Sequence, residues 1–347
     1  MSEHRPLFRF VGLLLAAAGL SAALAACSMG SNAATDPGPA TKTATASNSP
    51  TGSGSVSNAA QSPSTPNSTT PAVQTKKVHV TSVLSDGEKV GIGMPIVLKF
   101  SPLPTDSSAF AKAATVTING QPAQGAWFWE QPSSDEVKSH IIEAHYRMQG
   151  YWPAHATIQV KLPVGGLSAG KGLVYDDKLT SVTFQTGPAH ISMVDGAAET
   201  MVVRSDNKTI KTFKVSLGKA TTPTYNGVKV VMQKGEDDSS GKPKPNGTVQ
   251  MVGPGYNEPV QWSVRMTGTG EYVHAAPWNS HIGQISTSNG CTNMAVADAK
   301  WFYNFSLIGD VVQYGDTGGQ KMPSWDGYGD WNIPWQQWKS GGLLLNH

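Results

Sequence analysis

The stretch His274-Ala275-Ala276-Pro277-Trp278, followed by Ser288-Asn289-Gly290-Cys291-Thr292-Asn293, sets an imidazole seventeen positions before a thiol in a chain with two cysteines. A thiol attacks as its thiolate, so it needs a base within reach and surroundings that tolerate negative charge. Cys291 is the candidate nucleophile and His274 the candidate base. Gly290 allows a substrate carbonyl close to the backbone, and N–H groups near it are candidates for holding a tetrahedral oxyanion. The run from Ala295 to Asn304 is helix-forming, with Asn293 as its expected cap. On that reading the thiol stands at a helix N-terminus, whose unpaired N–H groups and dipole favour an anion. The chemistry within reach is acyl transfer through a thioester.

The other cysteine is accounted for separately. His4, Arg5 and Arg9 precede an apolar run from Phe10 to Leu20, and small residues lead to Leu24-Ala25-Ala26-Cys27. Residues 1–27 read as a lipoprotein signal, with Cys27 lipidated as the new N-terminus. The alternatives are a plain signal peptide or an uncleaved anchor over Phe10 to Ala26, which is short of the ~20 apolar residues that span a bilayer. Lipidation at Cys27 puts the protein in the cell envelope, on the outer face of the cytoplasmic membrane. Cys291 is then a lone thiol in an oxidising compartment, where cysteines are normally paired, and reactivity is the usual reason for such an exception.

Residues 28–75 are rich in Ser, Thr, Pro, Ala, Asn and Gly and poor in large apolar residues. They cannot bury enough surface to offset their ordering entropy, so a disordered tether is expected, with a glycosylated stalk as the alternative. Residues 76–188 show short β-prone runs at Val78 to Leu84, Ile96 to Phe100, Val116 to Ile118, Trp127 to Trp129, Ile141 to His145, Ile158 to Val160 and Ser181 to Phe184. Asn119-Gly120 is a hairpin signal, and the spacing predicts an immunoglobulin-like sandwich. His140, His145 and His155 have no helical i, i+4 spacing, no acidic partner in place and no cysteine nearby; they read as surface or satisfied core residues, with no metal site.

Residues 189–316 are again mostly strand, with Asp206-Asn207 and Asn226-Gly227 as turns, strands expected over Thr248 to Val252, Val260 to Met266, Glu271 to His274 and Asp310 to Tyr314, and one short helix after Cys291. A hinge is expected near Gly187-Pro188, with a junction stiffened by Pro188 as the alternative. Residues 317–347 carry Trp325, Trp331, Trp335 and Trp338, the last three spaced to share one face of a short helix. They read as a latch against the catalytic domain, or alternatively as a platform for sugar strands.

Tyr256 through Trp262, the His-x-Ala-Pro-Trp segment and Ser-x-Gly-Cys-x-Asn together resemble the catalytic signature of bacterial L,D-transpeptidases of the YkuD type, particularly those of mycobacteria and related actinobacteria. The resemblance implies a mostly β chain: an immunoglobulin-like sandwich, a YkuD-like catalytic β-sandwich and a Trp-rich C-terminal extension. It implies that Cys291 is the nucleophile, that His274 is base and acid, that the Ala275 carbonyl orients the imidazole, and that N–H groups at Gly290 and Cys291 form the oxyanion hole. Tyr256, Trp278, Ser288, Asn289 and Asn293 would contact substrate, although Tyr256 and Trp278 could equally be core aromatics. The family usually has histidine where this chain has Asn289, which cannot titrate; His281, on the intervening loop, reads as solvated.

The reaction so implied joins peptidoglycan stem peptides as donor and acceptor, with no metal or organic cofactor. Cys291 would attack the third residue of a donor tetrapeptide, release D-alanine and pass the acyl group to a second stem's amine as a 3→3 cross-link. Carbapenem β-lactams are the implied inhibitors. An L,D-carboxypeptidase, a protein-anchoring acyl transferase and a non-catalytic wall-binding lipoprotein remain as alternatives. The net charge of +2, of which the signal region supplies +1 from two Arg and one Glu, excludes a nucleic-acid binder.

Overall fold

The computed structural model describes residues 75–130, 142–253 and 255–344. The expected signal, Cys27, nearly all of the tether, His140 and Ile141 lie outside the described residues. Two sheets form the first module. One runs, in spatial order, Gly125–Glu130, Glu143–Met148, Ile96–Ser101, Lys76–Ser82, Leu173–Tyr175 and Ser168–Gly170; the other runs Lys89–Val90, Ser181–Thr186, Thr157–Lys161, Thr115–Ile118 and Gln121–Pro122. Alternation drives the layering, since Val78 and Val80 on one sheet and Ile158, Val160, Val182 and Phe184 on the other all point inward. Asn119 and Gly120 have φ of 49° and 81° and join two antiparallel strands in a tight turn, as the sequence predicts. Trp129, wholly buried, packs its ring 4.8 Å from that of Phe100 and 5.5 Å from that of Phe110.

The second module holds a five-stranded sheet in the order Lys208–Lys214, Thr200–Ser205, His190–Asp195, Val311–Gly315 and Gly227–Val230. A smaller four-stranded sheet runs Gln233–Lys234, Val264–Arg265, Tyr272–Ala275 and Thr292–Met294. Asp206 and Asn207, both with positive φ, make the expected hairpin turn. Asn226-Gly227 does not: Gly227–Val230 pairs with Val311–Gly315, and the amide of Asn226 is bonded instead to Gly319 and Thr317. The expected strand over Val260 to Met266 is broken at Trp262, where φ is 54°; the part before it belongs to the hairpin Val249–Gly253 and Tyr256–Val260.

The junction at Gly187-Pro188 is tied rather than loose. Gly187 N–H donates to Val90 O at 2.8 Å and its carbonyl accepts from His155 N–H at 3.0 Å, while Gly91 and Gly93 donate to Ile308 and Gly309 carbonyls at 2.7 and 2.9 Å. The C-terminal segment crosses both modules. Trp331 lies in a 3-10 turn, Gly329–Asn332, apart from the helix Trp335–Trp338, because Ile333 is extended and Pro334 opens a new helix. The three indoles still converge, with Trp331, Trp335 and Trp338 at 5.0, 5.4 and 4.3 Å from the Arg147 guanidinium. Trp338 is wholly buried and donates to Ala126 O at 2.8 Å, so the latch grips the immunoglobulin-like module, while Asp326 and Asn332 of the same segment bond Thr269 and Val228 of the second module. Trp338→Ala should cost about 3–5 kcal/mol in chemical denaturation; a loss under about 1 kcal/mol would show that this contact is not holding the segment.

His145 is buried, and against the sequence reading acidic partners do surround it. The antiparallel register of Glu130 with Glu143 and the fold-back of Asp330 bring Asp330 Oδ1 to 2.8 Å from Nδ1, Glu130 to 3.0 Å from the same nitrogen, and Glu143 to 2.9 Å from Nε2. Glu143, two residues before His145 on the same strand, was open to a sequence reading, whereas Glu130 and Asp330 arrive from other elements and spacing could not show them. His155 is exposed, 3.4 Å from Asp206.

Candidate active site

Thr292–Met294 lies parallel to Tyr272–Ala275, with His274 opposite Asn293. Val273, Ala275, Thr292 and Met294 point into the core, so strand alternation turns His274 and Asn293 together toward the other face. Cys291 ends the turn just before this strand. All three line a cleft of about 540 Å³ whose other walls include Tyr256, Trp278 and Asn289.

Ser288 closes the turn, its hydroxyl donating to Cys291 O at 2.6 Å and accepting Gly290 N–H at 3.1 Å. Gly290 sits at φ 127°, a conformation other residues resist. Its carbonyl accepts from Thr224 Oγ1 at 2.7 Å, and that hydroxyl also accepts Gly218 N–H at 2.9 Å. Thr224→Val leaves both buried partners unpaired, about 1–3 kcal/mol. It should lower thermal stability and slow acylation of Cys291; an unchanged acylation rate would remove Thr224 from the support of the turn.

His274 is buried, and its Nδ1 lies 2.9 Å from Ala275 O. A carbonyl only accepts, so Nδ1 carries the proton and Nε2 keeps the lone pair. Burial pushes the imidazole down to about 4 and the Cys291 thiol up to about 11. Both groups therefore rest neutral. The expected helix-dipole support for a thiolate is absent: the helix is Val296–Phe305, its N-cap is Ala295, and the strand Thr292–Met294 separates it from Cys291. Asn293 is thus not a cap but an extended residue; its side-chain oxygen is buried without a partner among the described residues, an acceptor that an N–H of a bound peptide could satisfy.

Trp278 is 62% exposed, with its ring 6.2 Å from that of His274. Tyr256 stands exposed on the hairpin flanking the cleft, so neither is a core aromatic. Asn289 is exposed and accepts from Lys219 Nζ at 2.8 Å. His281 also lines the cleft. The sequence reading missed Thr224 and the buried pair Lys229–Glu271. The one available signal was a lysine inside the apolar run Val228-Lys229-Val230-Val231, since a charge there must be exposed or paired.

A thiol and an oriented neutral imidazole on the floor of an open cleft are the equipment of a cysteine acyl transferase. Residues 189–313 match the L,D-transpeptidase catalytic domain of the YkuD family, and residues 40–168 match a bacterial Ig domain. Residues 189–313 are thus an L,D-transpeptidase catalytic domain of the YkuD type. The chain is 33% identical over 264 residues to L,D-transpeptidase 2 of Mycobacterium tuberculosis, covering 74% of this chain and 60% of that protein. It is 29% identical over 274 residues to L,D-transpeptidase 5 of Mycobacterium tuberculosis, covering 78% and 57%. The chain thus spans under two thirds of the length of these two relatives. The structure of LdtMt1 in complex with imipenem aligns with a TM-score of 0.52 at 25% identity, covering 68% of this chain and 97% of that one.

Proposed function

We propose that the protein cross-links peptidoglycan, transferring the acyl group of a donor tetrapeptide stem to the side-chain amine of a second stem to make a 3→3 link. The observation that carries this reading is the hydrogen bond from His274 to Ala275 O, which fixes the lone pair on Nε2 in the cleft that holds Cys291. Because both groups rest neutral, the thiol passes its proton to Nε2 as sulfur attacks the third-residue carbonyl, rather than forming a stable ion pair beforehand. The developing oxyanion is met by the Cys291 N–H; the Gly290 N–H, engaged by Ser288, joins when that contact opens. His274 returns its proton to the departing D-alanine amine, leaving a thioester, and then accepts a proton from the incoming amine.

In this reading residues 189–316 are the catalytic domain, 76–188 an immunoglobulin-like spacer and 317–347 the docking segment. Residues 28–75 are a tether from a membrane anchor at Cys27, on the outer face of the cytoplasmic membrane. Tyr256, Trp278, Ser288, Asn289 and Asn293 bound the donor site. The imipenem complex of a related protein supports β-lactam acylation of Cys291 here. Incubation with imipenem should add one drug equivalent, located on the Cys291 peptide by mass spectrometry; an adduct elsewhere, or none, would contradict the assignment of the nucleophile.

A further inference from the structure

Next to the nucleophile lies a buried charge pair to which the reaction above gives no part. Lys229 is fully buried, with its ammonium 3.7 Å from the centre of the Tyr314 ring and bound to Glu271 Oε2. Glu271 Oε1 accepts Tyr225 N–H at 2.8 Å. The same oxygen lies 3.6 Å from where a Gly290 Cβ would stand, so the carboxylate backs the turn that carries Cys291. The thiol itself points to the carbonyl of Gly270, one residue before Glu271, at 3.8 Å.

We propose that Glu271, held in place by Lys229, is a positioning residue that keeps Cys291 protonated in the resting enzyme, so that the proton leaves only to His274 when a substrate carbonyl is present. The inference rests on the assignment of Cys291 and His274 above. The charges around the thiol favour this sign. Glu271 stands against the turn, and Asp326, bound to Thr269 N–H at 2.7 Å and Thr269 Oγ1 at 2.6 Å, adds a second carboxylate behind it. Lys229 is the buried cation set against them, and Lys219, bonded to Asn289 Oδ1 at 2.8 Å on the exposed side of the same turn, is a solvent-screened one; Tyr225 and Tyr314, which face the same region, and His274, on the neighbouring strand, carry no positive charge at neutral pH. Burial raises the thiol first, a hydrogen bond from the Tyr272 backbone lowers it, the Glu271 charge raises it and Lys229 opposes. A like charge nearby disfavours ionisation, and thiolate is the form that oxidants and alkylating agents take. A half-buried lone thiol in an open cleft is thereby kept in its unreactive form.

The test is the pH profile of iodoacetamide alkylation of the full chain, from about pH 6 to 11, read on the Cys291 peptide by mass spectrometry so that Cys27 does not contribute. Glu271→Gln should move the midpoint down by about one unit, roughly ten-fold more thiolate at a given pH below it. The double variant Lys229→Met with Glu271→Leu removes both charges without leaving either unpaired in the interior, and its midpoint should move the same way; it decides the matter if Glu271→Gln does not fold. A midpoint that stays or rises in the folded variants overturns the proposal. Alkylation needs no turnover, so a failure of the transpeptidase reading would show separately, as absent cross-linking by a parent protein with an ordinary profile.

Discussion

Cys291→Ala is expected to reduce D-alanine release and cross-link formation by roughly 10⁴- to 10⁶-fold, the scale on which a covalent nucleophile is missed when its base and oxyanion donors remain. Cys291 is the one cysteine among the described residues, and the other, Cys27, falls in the stretch read as a lipidated signal. The backbone that shapes the site should survive, since Ser288, Thr224 and Gly290 hold the turn through main-chain and hydroxyl contacts that the thiol does not share. The check is a coupled assay for D-alanine beside a thermal melt. A variant that folds normally and keeps more than about a hundredth of the parent rate would remove the thioester from the mechanism.

His274→Gln should cost about 10²- to 10⁴-fold, the usual range for a general base, and should also change two pH dependences. In the parent, acylation falls as pH drops through about 4, where Nε2 takes a proton and ceases to be a base; the glutamine variant loses that limb. Stability carries the same group with a definite sign. The folded value of about 4 lies below the ~6.5 of an unfolded chain, so between these values the unfolded state binds the proton and the folded state does not. The contribution is fully present above about pH 6.5 and is lost as pH falls toward 4, by roughly 3 kcal/mol. Urea melts at pH 7 and 4.5 should show a larger loss for the parent than for His274→Gln. Equal losses would mean that His274 is not held neutral by burial.

What could be read from the sequence was local or carried by a contiguous motif. Asn119-Gly120 and Asp206-Asn207 announce their turns because few residues adopt positive φ, and the strands are marked by inward alternation. The His274 and Cys291 segments fall in one cleft because both edge a single parallel strand pair. The misreadings share a cause, which is competition from tertiary pairing. Thr292 to Met294 could have begun a helix, but pairing with Tyr272–Ala275 holds them extended and moves the helix start to Val296. Asn226-Gly227 looks like a hairpin turn, yet Gly227 is needed where Asn332 of the C-terminal segment comes close. Lys229 and Glu271, and likewise Asp330 and His145, are separated by long stretches of chain, so only the fold could bring them together.

The central claim is that the chain moves an acyl group from one stem peptide to another through Cys291. It is met most directly by incubating the full chain with a purified disaccharide-tetrapeptide and reading the products by mass spectrometry. The account predicts a 3→3 dimer with one D-alanine released per link. Tripeptide without dimer, or no turnover by a folded and imipenem-reactive protein, would contradict it.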